Sequence, residues 1–324
     1  MPQTSISFGL IGAGIMGERM LRAALDQPAA ALQVSGIWDP SSAAMERIAT
    51  ALPAVPHQPD AAALIAASDC VYIASPPTSH LAHARAALAA GKAVFCEKPL
   101  AVDLADARAF VSEAKERGAV NFPFASSPAV GRLQEWIASG VVGTPRRISI
   151  EVAFATWPRS WQADATGWLD GPVQGGFTRE VVSHFLFLTR RIAGPFTGLA
   201  GKAVYPEPGK SERRIEATLT AGALPVTLTG SVGTTAKDDH NVWTLDGDKG
   251  AVRLCDWSQA EQRLADGSWE RDPEALSQNE ARPLALRRQL EGVAKLTRGE
   301  PHHLATLSEA LDVQEIVEAI LKSA

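Results

Sequence analysis

Three glycines in six residues, Gly12-Ala13-Gly14-Ile15-Met16-Gly17, follow an apolar run from Ser5 to Ile11 and precede apolar residues at helical spacing from Ile15 to Leu25. Strand, tight turn and helix in that order make a place where a pyrophosphate can rest. Each glycine answers a separate need. Gly12 permits the turn, Gly14 keeps side chains out of the path of the anion, and Gly17 lets the helix pack closely on the strand. The free N–H groups at the helix start, around Ile15 and Met16, point at the anion. A second apolar run, Leu32 to Trp38, ends at Asp39, 22 residues past Gly17. An acid there accepts hydrogen bonds from both ribose hydroxyls of an adenosine and repels a 2′-phosphate. Pro40-Ser41-Ser42 follows, with no arginine. The expectation is a bound dinucleotide, NAD over NADP.

Two further groups have the types for acid–base chemistry. Lys98, in Glu97-Lys98-Pro99, can hydrogen-bond an oxygen and stabilise negative charge on it, and Pro99 restricts the backbone that aims it. Glu180 and His184 stand four apart among Phe177, Val181, Phe185 and Leu188, which mark one face of a helix. Four residues of α-helix place both side chains on one face, about 6 Å apart along the axis. A carboxylate beside a buried histidine orients it and makes it more basic, as a general base requires. The same pair also fits a core histidine satisfied by a local carboxylate.

The elements that must position these residues are legible in the pattern. Strand and helix alternate through the first third: after the first two strands come a helix near 42–52, a short strand near Val55, a helix near 61–66, a buried strand at 70–74, a helix at 80–90, a strand at 93–96, a helix at 104–115 and a strand near 119–122. That alternation implies a parallel sheet covered on both faces. Beyond about Ala125 a helix at 130–139 is followed by extended segments near 146–155, 200–205, 215–220, 225–231, 243–246 and 251–255. Strands in succession with short turns imply an antiparallel sheet. The expected architecture is an α/β Rossmann-type domain over 1–124 and an α+β domain with a mainly antiparallel sheet over 125–324. An amphipathic helix at 304–321 is expected to pack back on the first domain.

Composition bounds the function. With 324 residues, 46% hydrophobic and 21% charged, the chain has mass for two cores. A net charge of −5 gives no general attraction to nucleic acid or anionic membrane. The N-terminus enters the first strand without a signal-peptide pattern, and no apolar run approaches the ~20 residues of a membrane span. Cys70, Cys96 and Cys255 suit neither a disulfide framework nor a zinc site, and a reducing cytoplasm is the simple inference. His302-His303 lacks the spacing of a metal site, so no metal is expected.

These motifs, with Ser75-Pro76-Pro77-Thr78-Ser79-His80, the run Ala90 to Leu100 around Glu97-Lys98-Pro99, Ser139-Gly140-Val141-Val142-Gly143, and Gly175-Gly176 ahead of His184, resemble the Gfo/Idh/MocA family of oxidoreductases, which includes glucose-fructose oxidoreductase and inositol dehydrogenase. The resemblance implies that Ser75, Pro76, His80, Glu97 and Lys98 line the cofactor crevice. It implies that Lys98 faces the nicotinamide and the reacting carbon, with His184 as base and Glu180 in the place of the family's aspartate. The implied reaction is NAD(P)-dependent hydride transfer on a secondary alcohol or carbonyl of a polyol, sugar or sugar derivative. It also implies a homo-oligomer, dimer or tetramer, formed through the second-domain sheet.

Departures concern specificity. Phe124-Ala125-Ser126-Ser127-Pro128 stands where many relatives carry an arginine. Seven of the eight tryptophans lie beyond Ala125, and Trp157, Arg159 and Trp161 cluster in one segment, with Trp168 following. Either these aromatics wall a substrate pocket or they make ordinary core and subunit contacts. Arg159, Lys237 and His240 are further pocket candidates that also fit solvated loop positions. Two alternatives remain: an NAD-binding sensor without turnover, which needs neither Lys98 nor His184, and a family member acting on an imine, an enone or a glycoside.

Overall fold

The computed structural model describes residues 5–114 and 116–323, and the side chains of all of these except 163–166. Among them β1 (Ile6–Ile11), α1 (Ile15–Leu25), β2 (Leu32–Trp38), α2 (Ser42–Ala51), α3 (Ala61–Ala66), β3 (Cys70–Ile73), α4 (Pro77–Ala89), β4 (Ala93–Cys96), α5 (Leu104–Glu113) and β5 (Gly118–Val120) follow in the expected alternation. The expected end of the fifth helix at Lys115 lies outside the described residues. No strand forms at Val55. The chain instead makes one bridge, Ile37 to His57, with the Ile37 N–H donating to Pro56 O at 3.0 Å.

The first sheet has the order β14-β5-β4-β3-β1-β2, parallel except for β14 (Ala305–Thr306), which runs antiparallel to β5. β1 lies between β2 and β3, so the order reverses there. A crevice at such a reversal is where open α/β sheets take ligands. The central strands β3 and β4 are short apolar runs buried on both faces, as a covered parallel sheet requires. Phe8, Leu10, Tyr72 and Phe95 form the core together with Leu286, Leu290, Val293 and Leu296 from the later part of α9 (Gln278–Arg298).

The second sheet follows α6 (Pro128–Ala138) and is built from β6 (Pro145–Phe154), β7 (Phe196–Val204), β8 (Arg214–Ala221), β9 (Leu224–Val232), β10 (His240–Gly247), β11 (Ala251–Cys255), β12 (Gln259–Arg263) and β13 (Trp269–Arg271). Its order is β13-β12-β11-β10-β6-β9-β8-β7, with β6–β9 the parallel pair and the other pairs antiparallel. β12 and β13 carry many charged and polar residues, and periodicity did not reveal them. Between β6 and β7 come α7 (Thr166–Leu169), a π-helical turn at Thr178–Val182 and α8 (Ser183–Ala193). The fully buried Trp243 indole donates to Thr189 Oγ1 at 2.9 Å, which ties β10 to α8.

Two compact units result: residues 1–126 with 283–311, and residues 127–282 with 312–324. The C-terminal stretch expected to pack back on the first domain divides: Leu304 lies in the first core with the later part of α9, and α10 (Leu307–Lys322) groups from Asp312 onward with the second unit. Charge pairing decides this. Arg179 forks onto Glu318 at 2.6 and 2.8 Å, and Arg190 meets Asp312 at 2.7 Å. An amphipathic pattern says that a helix docks, not where.

Arg179 is buried and also donates to the Pro172 and Gly175 carbonyls at 3.0 and 2.8 Å. Removing one partner of a buried pair strands the other charge. Arg179→Ala is therefore expected to lower stability by about 3 kcal/mol or more in urea denaturation. A loss under about 1 kcal/mol, the scale of an exposed pair, would show that Glu318 finds solvent.

Candidate active site

In the first unit the three glycines do what their spacing requires. Gly12 has φ +104°, and a Cβ there would stand 2.6 Å from the Ala74 carbonyl and 2.7 Å from Ser75 N. A Cβ on Gly17 would overlap the Gly12 carbonyl oxygen, while one on Gly14 would meet nothing within 4 Å. The first and third glycines are forced by the protein's own packing; the second faces open space. Gly14 is also the N-cap of α1 and brings no capping side chain, so the first N–H groups, at Ile15 and Met16, have no side-chain acceptor. An open, uncapped helix start fits a phosphate group.

Asp39 leaves the end of β2 and bends back over this turn. Its Oδ2 accepts the Ala13 N–H at 2.7 Å and its Oδ1 accepts the Ser41 N–H at 2.8 Å. Arg47 of α2 donates to the Ala13 carbonyl. Asp39 thus shapes the turn.

Ser75 and Pro76 leave β3, and Pro76 is the N-cap of α4 with Pro77 as its first residue. His80, one turn on, is buried, with Nε2 2.7 Å from Ser75 O and Nδ1 2.9 Å from Pro99 O. Burial pushes its pKa down, against the two carbonyls, which favour the charged form. His80 therefore clamps the segment after β3 to the Lys98-Pro99 segment after β4. Its contribution to the crevice is the placement of those backbones. Glu97 acts in the same way. It is buried and accepts from the Tyr72 hydroxyl and from Asn121 Nδ2, the latter at 2.6 Å. Burial, then the Glu97 carboxylate, pushes the Tyr72 phenol well up. Lys98, next in sequence, is half-buried, and its peptide to Pro99 is cis. Tyr72 and Asn121 went unnoticed in the sequence. The signal was there, since a phenol in a strand buried on both faces needs a polar partner.

In the second unit Glu180 and His184 lie on one continuous helical stretch, but the expected α-helical spacing needs correcting. Glu180 is half-buried on the π-helical turn and His184 is buried at the start of α8. A π turn carries more residues than an α turn, so their relation is not that of an ordinary i, i+4 pair. The start of this stretch is fixed just upstream. Gly175 and Gly176 make the tight turn, and a Cβ on Gly176 would run into the Glu212 carboxyl, 2.8 Å from Oε1. Oε1 of this fully buried Glu212 accepts the Thr178 N–H at 2.8 Å and the Thr178 hydroxyl at 2.6 Å. It caps the helix that carries the candidate base. Sequence reasoning passed over Glu212, which is an ordinary acid between polar neighbours in the chain.

The substrate candidates divide. Trp157 is buried and packs on Phe154 and Phe177 at 5.2 and 6.1 Å, and its Nε1–H donates to Leu169 O at 3.2 Å. Arg159 is no solvated loop residue. It is buried, pairs with Asp239 at 2.8 Å and lies over the Trp157 and Trp161 rings. Trp161 remains on the surface at 42% exposure. Lys237 and His240 both meet Asp256, each at 3.1 Å. Burial raises the Asp256 pKa, but the Asn241 N–H, Lys237 and His240 outweigh it and hold the carboxyl below its ordinary value.

Among the described residues no three of His, Cys, Asp or Glu are grouped to hold a metal ion, and no helix is long and apolar enough to cross a membrane. Residues 6–124, the glycine turn and the Lys98 segment among them, match the family model described as "Oxidoreductase family, NAD-binding Rossmann fold". Over these residues the chain matches the NAD-binding domain of the Gfo/Idh/MocA family. No curated protein matches. Solved structures share the whole fold. An oxidoreductase from Agrobacterium radiobacter, in complex with NAD+, L-tartaric acid and magnesium, is 20% identical with a TM-score of 0.83, covering 99% of this chain and 96% of its own. UDP-N-acetylglucosamine 3-dehydrogenase from Acidithiobacillus ferrooxidans is 19% identical at 0.78, covering 99% and 97%. Biliverdin reductase from Synechocystis sp. PCC 6803, in complex with biliverdin and NADP+, is 21% identical at 0.78, covering 100% and 99%.

Glu212 gives a pH test. Burial raises its pKa above the ordinary 4.5, so the folded protein holds this proton to higher pH than the unfolded chain does. Its contribution is most favourable below pH 4.5 and is lost as pH rises through the raised value. The pH dependence of unfolding free energy in Glu212→Gln is expected to lack this declining component. Parallel wild-type and variant curves above pH 4.5 would show that Glu212 ionises in place as readily as in water.

Proposed function

We propose that this protein is an NAD-dependent dehydrogenase or reductase that interconverts a secondary alcohol and its carbonyl on a polyol, sugar or sugar derivative. The observation that carries this reading is the gathering of an open, uncapped helix start at Gly14 and of Lys98 at the carboxyl ends of β1 and β4, the two strands that flank β3, in a domain of an NAD-binding oxidoreductase family. Gly12, Gly14 and Gly17 admit the pyrophosphate to the N–H groups at Ile15 and Met16, Asp39 holds the adenosine ribose, and Ser75, Pro76, His80 and Glu97 set the segments beside it. NAD bound there would supply the acceptor for the hydride lost from the carbinol carbon. Lys98 donates a hydrogen bond to the substrate oxygen and stabilises the charge that develops as the hydroxyl proton leaves. His184 takes that proton, and Glu180 supports the imidazolium.

Two of the similar structures support the substrate class. One acts on a sugar nucleotide by its name, and another holds L-tartaric acid, a compound rich in secondary hydroxyls. Trp161, exposed over the Arg159 guanidinium, offers a flat apolar surface for a ring. Association of copies through the second sheet belongs to the same proposal. A second reading, reduction of an imine or enone, draws on Glu180 in the place of the family's aspartate and on the absence of arginine at 124–128.

Formation of reduced cofactor at 340 nm across polyols, aldoses and sugar acids tests the reaction. Lys98→Ala and His184→Ala are each expected to lower kcat by about a hundredfold or more. Wild-type kcat in either variant would remove that residue from the mechanism, and turnover of a cyclic imine where every alcohol fails would favour the second reading. For the cofactor, NAD is expected to bind about tenfold more tightly than NADP, and Asp39→Ala to erase the difference. Tighter binding of NADP to the wild type would reverse the assignment.

A further inference from the structure

Two consecutive residues, Asp256 and Trp257, have left-handed backbones, with φ +43° and +74°, and among the described residues no other non-glycine residue has a positive φ. L-residues with large side chains avoid this region, and such conformations persist where the surroundings hold them in place. Here they are held from several sides. The Asp256 N–H donates to Asn241 O at 2.8 Å. Its Oδ1 accepts the Asn241 N–H at 3.1 Å and meets His240 Nδ1 at 3.1 Å, while Oδ2 accepts from Lys237. The Trp257 Nε1–H donates to Asp239 Oδ2 at 3.3 Å, the oxygen that pairs with buried Arg159 at 2.8 Å. What this turn achieves is the placement of one indole. It stands 5.4 Å from the His184 imidazole at 75°, edge to face, and 5.4 Å from the Phe185 ring at 45°.

We infer that Trp257 is a positioning residue for His184: the indole, held by the left-handed turn and by the Arg159–Asp239 pair, fixes the plane of the imidazole so that one nitrogen faces the substrate hydroxyl. A general base works only when its nitrogen is aimed within hydrogen-bond reach of the proton it takes. An edge-to-face ring contact restrains a neighbouring ring's plane, which an aliphatic filler of the same volume does not. A mere filler gives no reason for an unfavourable backbone at a tryptophan. The same chain of contacts explains why Arg159 is buried. The inference rests on the reading of His184 as proton acceptor.

Glycine suits a left-handed backbone, so Trp257→Gly removes the ring without adding strain, and Trp257→Phe keeps an aromatic ring without the bond to Asp239. The first readout needs no turnover. In protein labelled with ¹⁵N-histidine, the His184 resonances are identified by their loss in His184→Ala. The wild type is expected to show widely separated Nδ1 and Nε2 shifts, those of one fixed tautomer. In Trp257→Gly both should move toward their mean, as for an imidazole that, once released, exchanges between its two tautomers, and Trp257→Phe should keep the wild-type pattern. The second readout is kinetic, on the alcohol identified at 340 nm. Trp257→Gly is expected to lower kcat about tenfold with KM within about twofold, Trp257→Phe to restore most of it, and Trp257→Gly to cost nothing further in the His184→Ala background. Unmoved ¹⁵N shifts in Trp257→Gly, or equal losses of kcat in both backgrounds, would overturn the inference and leave the proton-acceptor reading standing. Wild-type kcat in His184→Ala would instead overturn that reading, while the ¹⁵N comparison would still decide whether Trp257 fixes the ring.

Discussion

A side chain at residue 17 would overlap the carbonyl oxygen of Gly12, and the first unit depends on that closeness. It brings the start of α1 directly over the end of β1 and leaves its N–H groups pointing outward beside Gly14, where an added Cβ would meet no atom within 4 Å. The remaining parts hold this turn and its neighbours in place. Asp39 grips the Ala13 N–H from the end of β2, Arg47 grips the Ala13 carbonyl, and His80 clamps Ser75 to Pro99. Anion binding at a helix start needs fixed donors, and here the turn is fixed by the half-buried Asp39, the exposed Arg47 and the buried His80.

The second unit applies the same physics with a different cap. A glycine pair makes room for a buried carboxylate, and that carboxylate satisfies the first N–H of the helix bearing His184. Burial disfavours its charge and outweighs Thr178 and Arg179, which favour it, so the helix start depends on a carboxyl that holds its proton above the ordinary carboxylate value. Farther along, the indole of Trp257 covers the imidazole from the sheet side, on a backbone that tryptophan seldom adopts. In both units the residue proposed for chemistry is flanked by groups whose work is to restrict it.

The particular residues show what a linear reading can and cannot recover. Gly12, Gly14, Gly17 and Asp39 were legible because their requirements are local: turn conformation, close approach and the end of a strand all follow from neighbours in the chain. Trp157 and Arg159 were ambiguous because a tryptophan in a loop and an arginine beside it read alike as pocket or core. Phe154, Phe177 and Asp239 are the partners they meet, and those lie far from them in sequence or on other elements. Glu212, Tyr72 and Asn121 carried no motif, and β12 and β13 had too little alternation to stand out.

By itself the sequence determined the order of elements, the parallel and the mainly antiparallel sheet, and the anion-ready turn. Those rest on backbone sterics and on hydrophobic periodicity, which act over a few residues. Only the tertiary structure decided that α9 enters the first core while α10 pairs with the second unit, that the stretch before His184 opens into a π turn, and that Asp256 and Trp257 adopt left-handed backbones. Each of those depends on which buried charge, carbonyl or ring meets which other across long separations in the chain. Burial strengthens those pairings and penalises their absence, and no local pattern encodes the partner.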